Sequence, residues 1–153
     1  MKTKVVLMTL VACFIGAVVC LSADTVIGTW KLNEAKSKIG GGPKNHTVVY
    51  ETAGDSVKVT TDGTDSEGKP SHSEWTGKFD GKDYPVTGDP NTDTRSYTKV
   101  NERTLSFVNK KGDKITISGR ATVSPDGKTR TVSISGTDSK GNKFTSTAVY
   151  DKQ

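Results

Sequence analysis

The 153-residue chain carries a formal net charge of +5, but its Lys and Arg are scattered through turns and solvent-facing strand positions. That pattern excludes the clustered basic face, interleaved with aromatics, of a nucleic-acid binder. Beyond residue 23 apolar side chains make up only about a quarter of the chain, too few for a core packed on all sides but suited to strands with one wet face.

The first 23 residues read as a targeting segment. Lys2 and Lys4 form a positive start, residues 5–19 an apolar run, and Ser22 or Ala23 a small residue for cleavage. The run is too short, and too soon followed by polar residues, to read as a membrane span. The expectation is a signal peptide over 1–23 and a single domain over 24–153, secreted or periplasmic. Without the two leader lysines the net charge of +5 falls to +3. Cys13 and Cys20 both lie in the leader, so the exported domain has no disulfide and packing alone must hold it. Lipidation at Cys20 is disfavoured by the branched Val19 before it, where lipoprotein signals carry a small residue.

The domain opens on Gly28-Thr29-Trp30-Lys31-Leu32. Alternation over 25–32 puts Val26, Gly28, Trp30 and Leu32 on one face, with Trp30 pointing inward to plug one end and Gly28 leaving room for its ring. In the following segment Asn33 caps a single helical turn through Glu34-Ala35-Lys36, and Gly40-Gly41-Gly42-Pro43 ends it. Further strands are predicted at 46–52, 56–61, 72–79, 82–87, 94–100, 104–109, 114–123, 129–136 and 143–151. Ile115, Ile117, Gly119, Ala121 and Val123 are expected to share a face, as are Val132, Ile134 and Gly136, and Phe144, Ser146, Ala148 and Tyr150. Asp80-Gly81, Lys111-Gly112-Asp113, Pro125-Asp126-Gly127 and Ser139-Lys140-Gly141-Asn142 are tight turns. Gaps this short exclude parallel crossovers. Closing the hairpin ladder removes its two edges, which predicts an all-β, antiparallel up-and-down barrel of about eight to ten strands. Gly63-Thr64-Asp65-Ser66-Glu67-Gly68 and Gly136-Thr137-Asp138-Ser139-Lys140-Gly141 echo each other, as two uses of one favourable turn.

Catalytic and metal chemistry find little support. His46 and His72 begin strands among polar neighbours, no Gly-x-Ser-x-Gly elbow occurs, and no close His or Cys pair offers a zinc site. The acidic stretches 62–67 and 89–93 lack the full EF-hand pattern and read as turn residues. Asn45-His46-Thr47 is a short match to a glycosylation acceptor. No catalytic residue, metal or cofactor is therefore assigned. The aromatics, by contrast, are spread over nearly all strands. Tyr50, Trp75, Tyr97, Phe107, Ile117, Ile134, Phe144 and Tyr150 are the candidate lining of a barrel interior, with Gly28 and Trp30 as the structural motif. Small residues at Gly119, Ala121, Gly136, Ser146 and Ala148 are expected to leave volume among them.

The leader, the Gly28-x-Trp30 opening and the hairpins ending in Val149-Tyr150-Asp151-Lys152 resemble the calycin superfamily of lipocalins and fatty-acid-binding proteins. The chain is most similar to small secreted bacterial lipocalin-like proteins, in which a stretch like Phe79-Asp80-Gly81-Lys82-Asp83-Tyr84-Pro85-Val86-Thr87-Gly88 recurs. The resemblance implies a lipocalin-like barrel that carries a small hydrophobic or amphipathic molecule. It also implies a basic residue against Trp30, which the sequence leaves unassigned. Residues 33–44 are too few for the helical lid of fatty-acid-binding proteins. Two readings follow. The first is a monomeric, non-catalytic binder with no nucleic-acid partner and no stable membrane insertion. The second is a structural or protein-interaction barrel of the cell envelope with a filled core. An isomerase or hydrolase on the same barrel is a third, for which no acid-base pair can be located. Export predicts that protein isolated from its host begins near Ser22–Asp24 and fractionates as soluble material; N-terminal sequencing of each fraction checks this, and an uncleaved membrane-bound form contradicts it.

Overall fold

The computed structural model describes residues 25–153, so the leader, both cysteines and the cleavage position lie outside the described residues. Ten strands follow one another: β1 Gly28–Leu32, β2 Lys44–Ala53, β3 Ser56–Thr64, β4 Pro70–Gly77, β5 Tyr84–Thr87, β6 Thr94–Asn101, β7 Thr104–Lys111, β8 Lys114–Val123, β9 Thr129–Thr137 and β10 Lys143–Lys152. Every neighbour is antiparallel, and β1 pairs with both β2 and β10, which closes the barrel. The expected all-β up-and-down barrel is what forms. Outside the strands the described residues form one 3-10 turn, Glu34–Lys36, capped by Asn33, whose Oδ1 accepts from the Lys36 N–H at 3.2 Å.

The register sorts the inward side chains into rows. Arg95, Asn109, Ile117, Gly136 and Phe144 are cross-strand partners along β6 to β10, and so are Tyr97, Phe107, Gly119, Ile134 and Ser146. Deeper in the barrel Leu105, Ala121, Val132 and Ala148 make a third row, and Val123, Arg130, Tyr150 and Leu32 a fourth. On the opposite wall the rows are Trp30, Val48, Thr61, Ser73 and Tyr50, Val59, Trp75, Val86. Ile115 departs from its predicted face. The pairing slips between Asn109 and Lys110, so Ile117 faces Asn109 while Ile115 faces Lys110 and is 56% exposed.

At one end Trp30 is fully buried and its Nε1 donates to the Val26 carbonyl at 2.8 Å. Val26, Leu105 and Val123 pack in the same buried cluster. The first strand begins later than predicted because residues 25–26 turn across this end, with the Thr25 hydroxyl donating to the Glu102 carbonyl. Gly28 has φ +128°, a conformation that favours glycine, and a Cβ there would lie 2.7 Å from Lys152 Cε. Its missing side chain thus makes room for the Lys152 stem, not for the Trp30 ring as the sequence suggests.

The other end is ringed by the turns at 65–69, 88–93, 112–113 and 138–142 and by the segment 33–43. Asp65 and Asp138 make the same bonds, each Oδ1 accepting from two turn amides, as expected of a reused turn. The 33–43 segment prolongs the pairing of β1 along β10: Lys38 and Thr147 exchange backbone bonds, and the Gly40 N–H donates to Ser146 Oγ at 2.9 Å. The ladder is thinnest at β5, which matches two residue pairs with β4 and two with β6.

Truncating Trp30 to Ala should cost about 3–5 kcal/mol, the range for a large aromatic lost from a core. Denaturant unfolding measures it; a change of a few tenths would show that the ring does not anchor this end.

Candidate functional site

The barrel is not filled. A cavity of about 330 Å³ opens through the ringed end. Seven of the eight candidate lining residues border it: Tyr50, Tyr97, Phe107, Ile117, Ile134, Phe144 and Tyr150. Trp75 is absent from the lining. It is 1% exposed, donates from Nε1 to the Arg95 carbonyl at 2.8 Å, and packs against Phe79, Tyr84 and Tyr97 with centroids 6.3, 5.7 and 4.8 Å away. Of that aromatic cluster only Tyr97 borders the cavity. In the loop beside it, Asp80 accepts from the Lys82 N–H and the Tyr84 hydroxyl, which gives the 79–88 stretch its shape.

The expectation that small residues create the space holds for only some of them. A Cβ at Gly119 would lie 2.7 Å from the Phe107 ring and 2.8 Å from Ile134; one at Gly136 would lie 2.8 Å from Phe144 and 3.0 Å from Ile117. Those gaps are already occupied by side chains leaning over from the neighbouring strands. Ala121, Ser146 and Ala148 do border the cavity.

The polar side of the lining is the feature sequence reasoning missed. Arg95 and Arg130 are 8% and 3% exposed, and both border the cavity. The Arg95 Nε donates to Asn109 Oδ1 at 2.7 Å, and its Nη1 lies 3.4 Å from the Tyr97 hydroxyl. Arg130 lies among three rings, with Cζ 5.4 Å from the Trp30 centroid, 5.1 Å from Tyr50 and 4.7 Å from Tyr150. Its Nε and Nη1 have no hydrogen-bond partner. Lys152 Nζ lies 5.2 Å from the Trp30 ring, so Arg130 and Lys152 are the basic residues against that ring. The signal was strand parity: Arg130 is two residues before Val132 and four before Ile134, and Arg95 is two before Tyr97.

Thr61, Ser73, Asn109 and Ser146 are also buried, while no carboxylate is buried among the described residues. The interior is therefore rich in donors and holds two buried arginines, while the carboxylates that border the cavity, Asp65, Asp89 and Asp138, are not themselves buried. His46 and His72 are both exposed, with His72 Nδ1 2.6 Å from Asp62 Oδ1. In the 89–93 turn Asp89 accepts from the Asn91 N–H, and Asp93 from Lys111 and the Gly112 N–H. The Asn45 carbonyl accepts from the Tyr150 hydroxyl at 3.0 Å.

No known protein-family profile matches the sequence, and no curated protein matches it. Solved structures do. The chain is similar to the redesigned beta barrel b11L5F_LGL at 16% identity, covering 88% of this chain and 97% of that one with a TM-score of 0.48. It is similar to EF1p2_mFAP2b bound to DFHBI at 14% identity (86% and 96% covered, TM-score 0.47). A third structure, the redesigned beta barrel mFAP1 bound to DFHBI, is 17% identical (84% and 95% covered, TM-score 0.43).

Burial pushes the Tyr50 phenol up, with the neighbouring Tyr97 adding to the rise and Arg130 and Arg95 opposing it. Burial likewise raises Tyr150, against the pull of Arg130. A raised folded-state value means that stability is intact below about pH 10, where an unfolded tyrosine is still protonated, and falls as pH rises and the unfolded chain ionises first. In an alkaline titration the phenolate absorbance of Tyr50 and Tyr150 should thus appear together with loss of structure by circular dichroism; full ionisation of all tyrosines in the folded protein would contradict this.

Proposed function

We propose that this protein is an exported, lipocalin-like carrier that holds a small hydrophobic or amphipathic molecule in its barrel interior and does not transform it. The observation that carries the reading is the open cavity of about 330 Å³ inside a closed barrel, with an apolar wall of Phe107, Ile117, Ile134 and Phe144 facing a few buried polar groups. Small-molecule sites commonly have this form, and the volume is at the lower end of their range of roughly 300–1,000 Å³. A barrel serving only as a rigid scaffold would gain by filling the space, because packing density stabilises. Export rests on the leader sequence, and the monomeric state on the ladder having no unpaired strand edge.

An uncharged naphthylamine dye should bind the exported domain with one-site saturation and enhanced fluorescence. Ala148, which borders the cavity and is 8% exposed, is the position to fill. Ala148→Phe should weaken dye binding by about tenfold or more, with stability changing by less than the roughly 1–3 kcal/mol that overpacking costs. Absence of saturable binding to the unmodified domain would refute the carrier reading.

A further inference from the structure

Charge does not choose what the cavity holds, because the buried Arg95 and Arg130 border it together with the carboxylates of Asp65, Asp89 and Asp138. Size and ring chemistry do. The volume of about 330 Å³ is a little over twice the ~150 Å³ of an apolar cavity that takes up one benzene ring. A methylene fills about the space of a water molecule, roughly 30 Å³, so a ten-carbon chain fits and a long-chain lipid does not.

The walls are aromatic on more than one side. Tyr97 meets the Tyr50 ring edge-on with centroids 6.4 Å apart, and the Phe107 ring at 5.7 Å with the planes tilted by 47°. All three border the cavity, as does Phe144. Glycines fix two of these rings in place. Phe144 is wedged between the 33–43 segment and β9, since a Cβ at Gly42 would overlap its ring and one at Gly136 would lie 2.8 Å from its Cζ. Phe107 is seated likewise on Gly119, where a Cβ would come within 2.7 Å of its Cζ. A side chain at any of these glycines would push a ring out of its seat, so the glycines set where the wall stands.

A wall of fixed rings favours a rigid guest. Neither partner then gives up much rotamer freedom on binding, whereas a flexible alkyl chain loses a great deal. Edge and offset contacts between rings add to what burial of area alone supplies. We propose that the occupant is a compact, rigid aromatic molecule of about two rings, not a long-chain lipid, and that Phe107 and Phe144 set this preference. This rests on the carrier reading above.

The test is displacement of the uncharged naphthylamine dye from the exported domain by uncharged alcohols: naphthol, and the linear series heptanol, decanol and tetradecanol. Naphthol and heptanol partition from water into octanol to a similar extent, so a difference between them reports ring contact and rigidity, not hydrophobicity. Naphthol is expected to displace at about tenfold lower concentration than heptanol. Decanol should displace better than heptanol, but tetradecanol no better than decanol, because the gain per carbon ends once the volume is full. In Phe107→Leu and Phe144→Leu, which keep both positions apolar, the preference for naphthol over heptanol should shrink to within about threefold while heptanol is unchanged. Should Phe144→Leu fail to fold, Phe107→Leu and the probe series on the unmodified domain still decide. Equal displacement by naphthol and heptanol, a steady gain through tetradecanol, or a full naphthol preference surviving both replacements would overturn the proposal while dye binding left the carrier reading standing. Failure of the dye itself to bind would remove both.

Discussion

Closure of the hydrogen-bonded ladder is the constraint on which the rest of the structure depends. Once β1 pairs with β10, every strand has one face in and one face out, and a one-residue slip anywhere would turn a whole strand's side chains over. With so few apolar residues to distribute, the inward positions cannot all be apolar. Thr61, Ser73, Asn109, Ser146 and two arginines take the remainder. Polar side chains inside need partners and room to make them, so a partly polar interior and an unfilled volume are two expressions of one composition.

The interior divides its labour along the barrel axis. At the plugged end Trp30, Arg130, Tyr50 and Tyr150 form a cation held between ring faces, which lets a charged residue serve as packing material. On the β4 to β6 side, Trp75 packs against Phe79, Tyr84 and Tyr97, with interplanar angles from 10° for the stacked Phe79 to 83° for Tyr84. These two regions account for the deepest burial and hold the fold without disulfides among the described residues. The rest of the interior holds the cavity, which reaches β2 to β4 at Val48, Tyr50, Thr61 and Ser73 as well as β6 to β10.

Much of the architecture was legible because its signals are local. Alternation over 129–136 and 143–151, and turns such as Pro125-Asp126-Gly127, mark strands and reversals from neighbouring residues alone. The plug was legible for a similar reason, since a Trp on an inward parity near the start of a barrel has few other places to go. What escaped was anything set by partners far apart in sequence. Ile115 was misplaced because a slip in register at Asn109 is invisible without β7 beside it. Gly119 and Gly136 looked like empty space until the rings of Phe107 and Phe144, brought across from adjacent strands, were seen to cover them. Arg95 and Arg130 lie within the predicted strands 94–100 and 129–136 and follow the alternation as faithfully as their neighbours, but a charged side chain on a strand is ordinarily read as facing solvent.

The shortness of β5 gives the wall an uneven mechanical character. Four cross-strand pairs in all hold it to β4 and β6, against nine between β9 and β10, and Pro85 within it has no N–H to contribute. Tyr84 and Pro85 face Arg95 and Thr94, so the loosest staves of the barrel flank its charged corner. The wall is thus weakest in backbone bonding beside Arg95 and strongest where β9 and β10 carry Ile134 and Phe144.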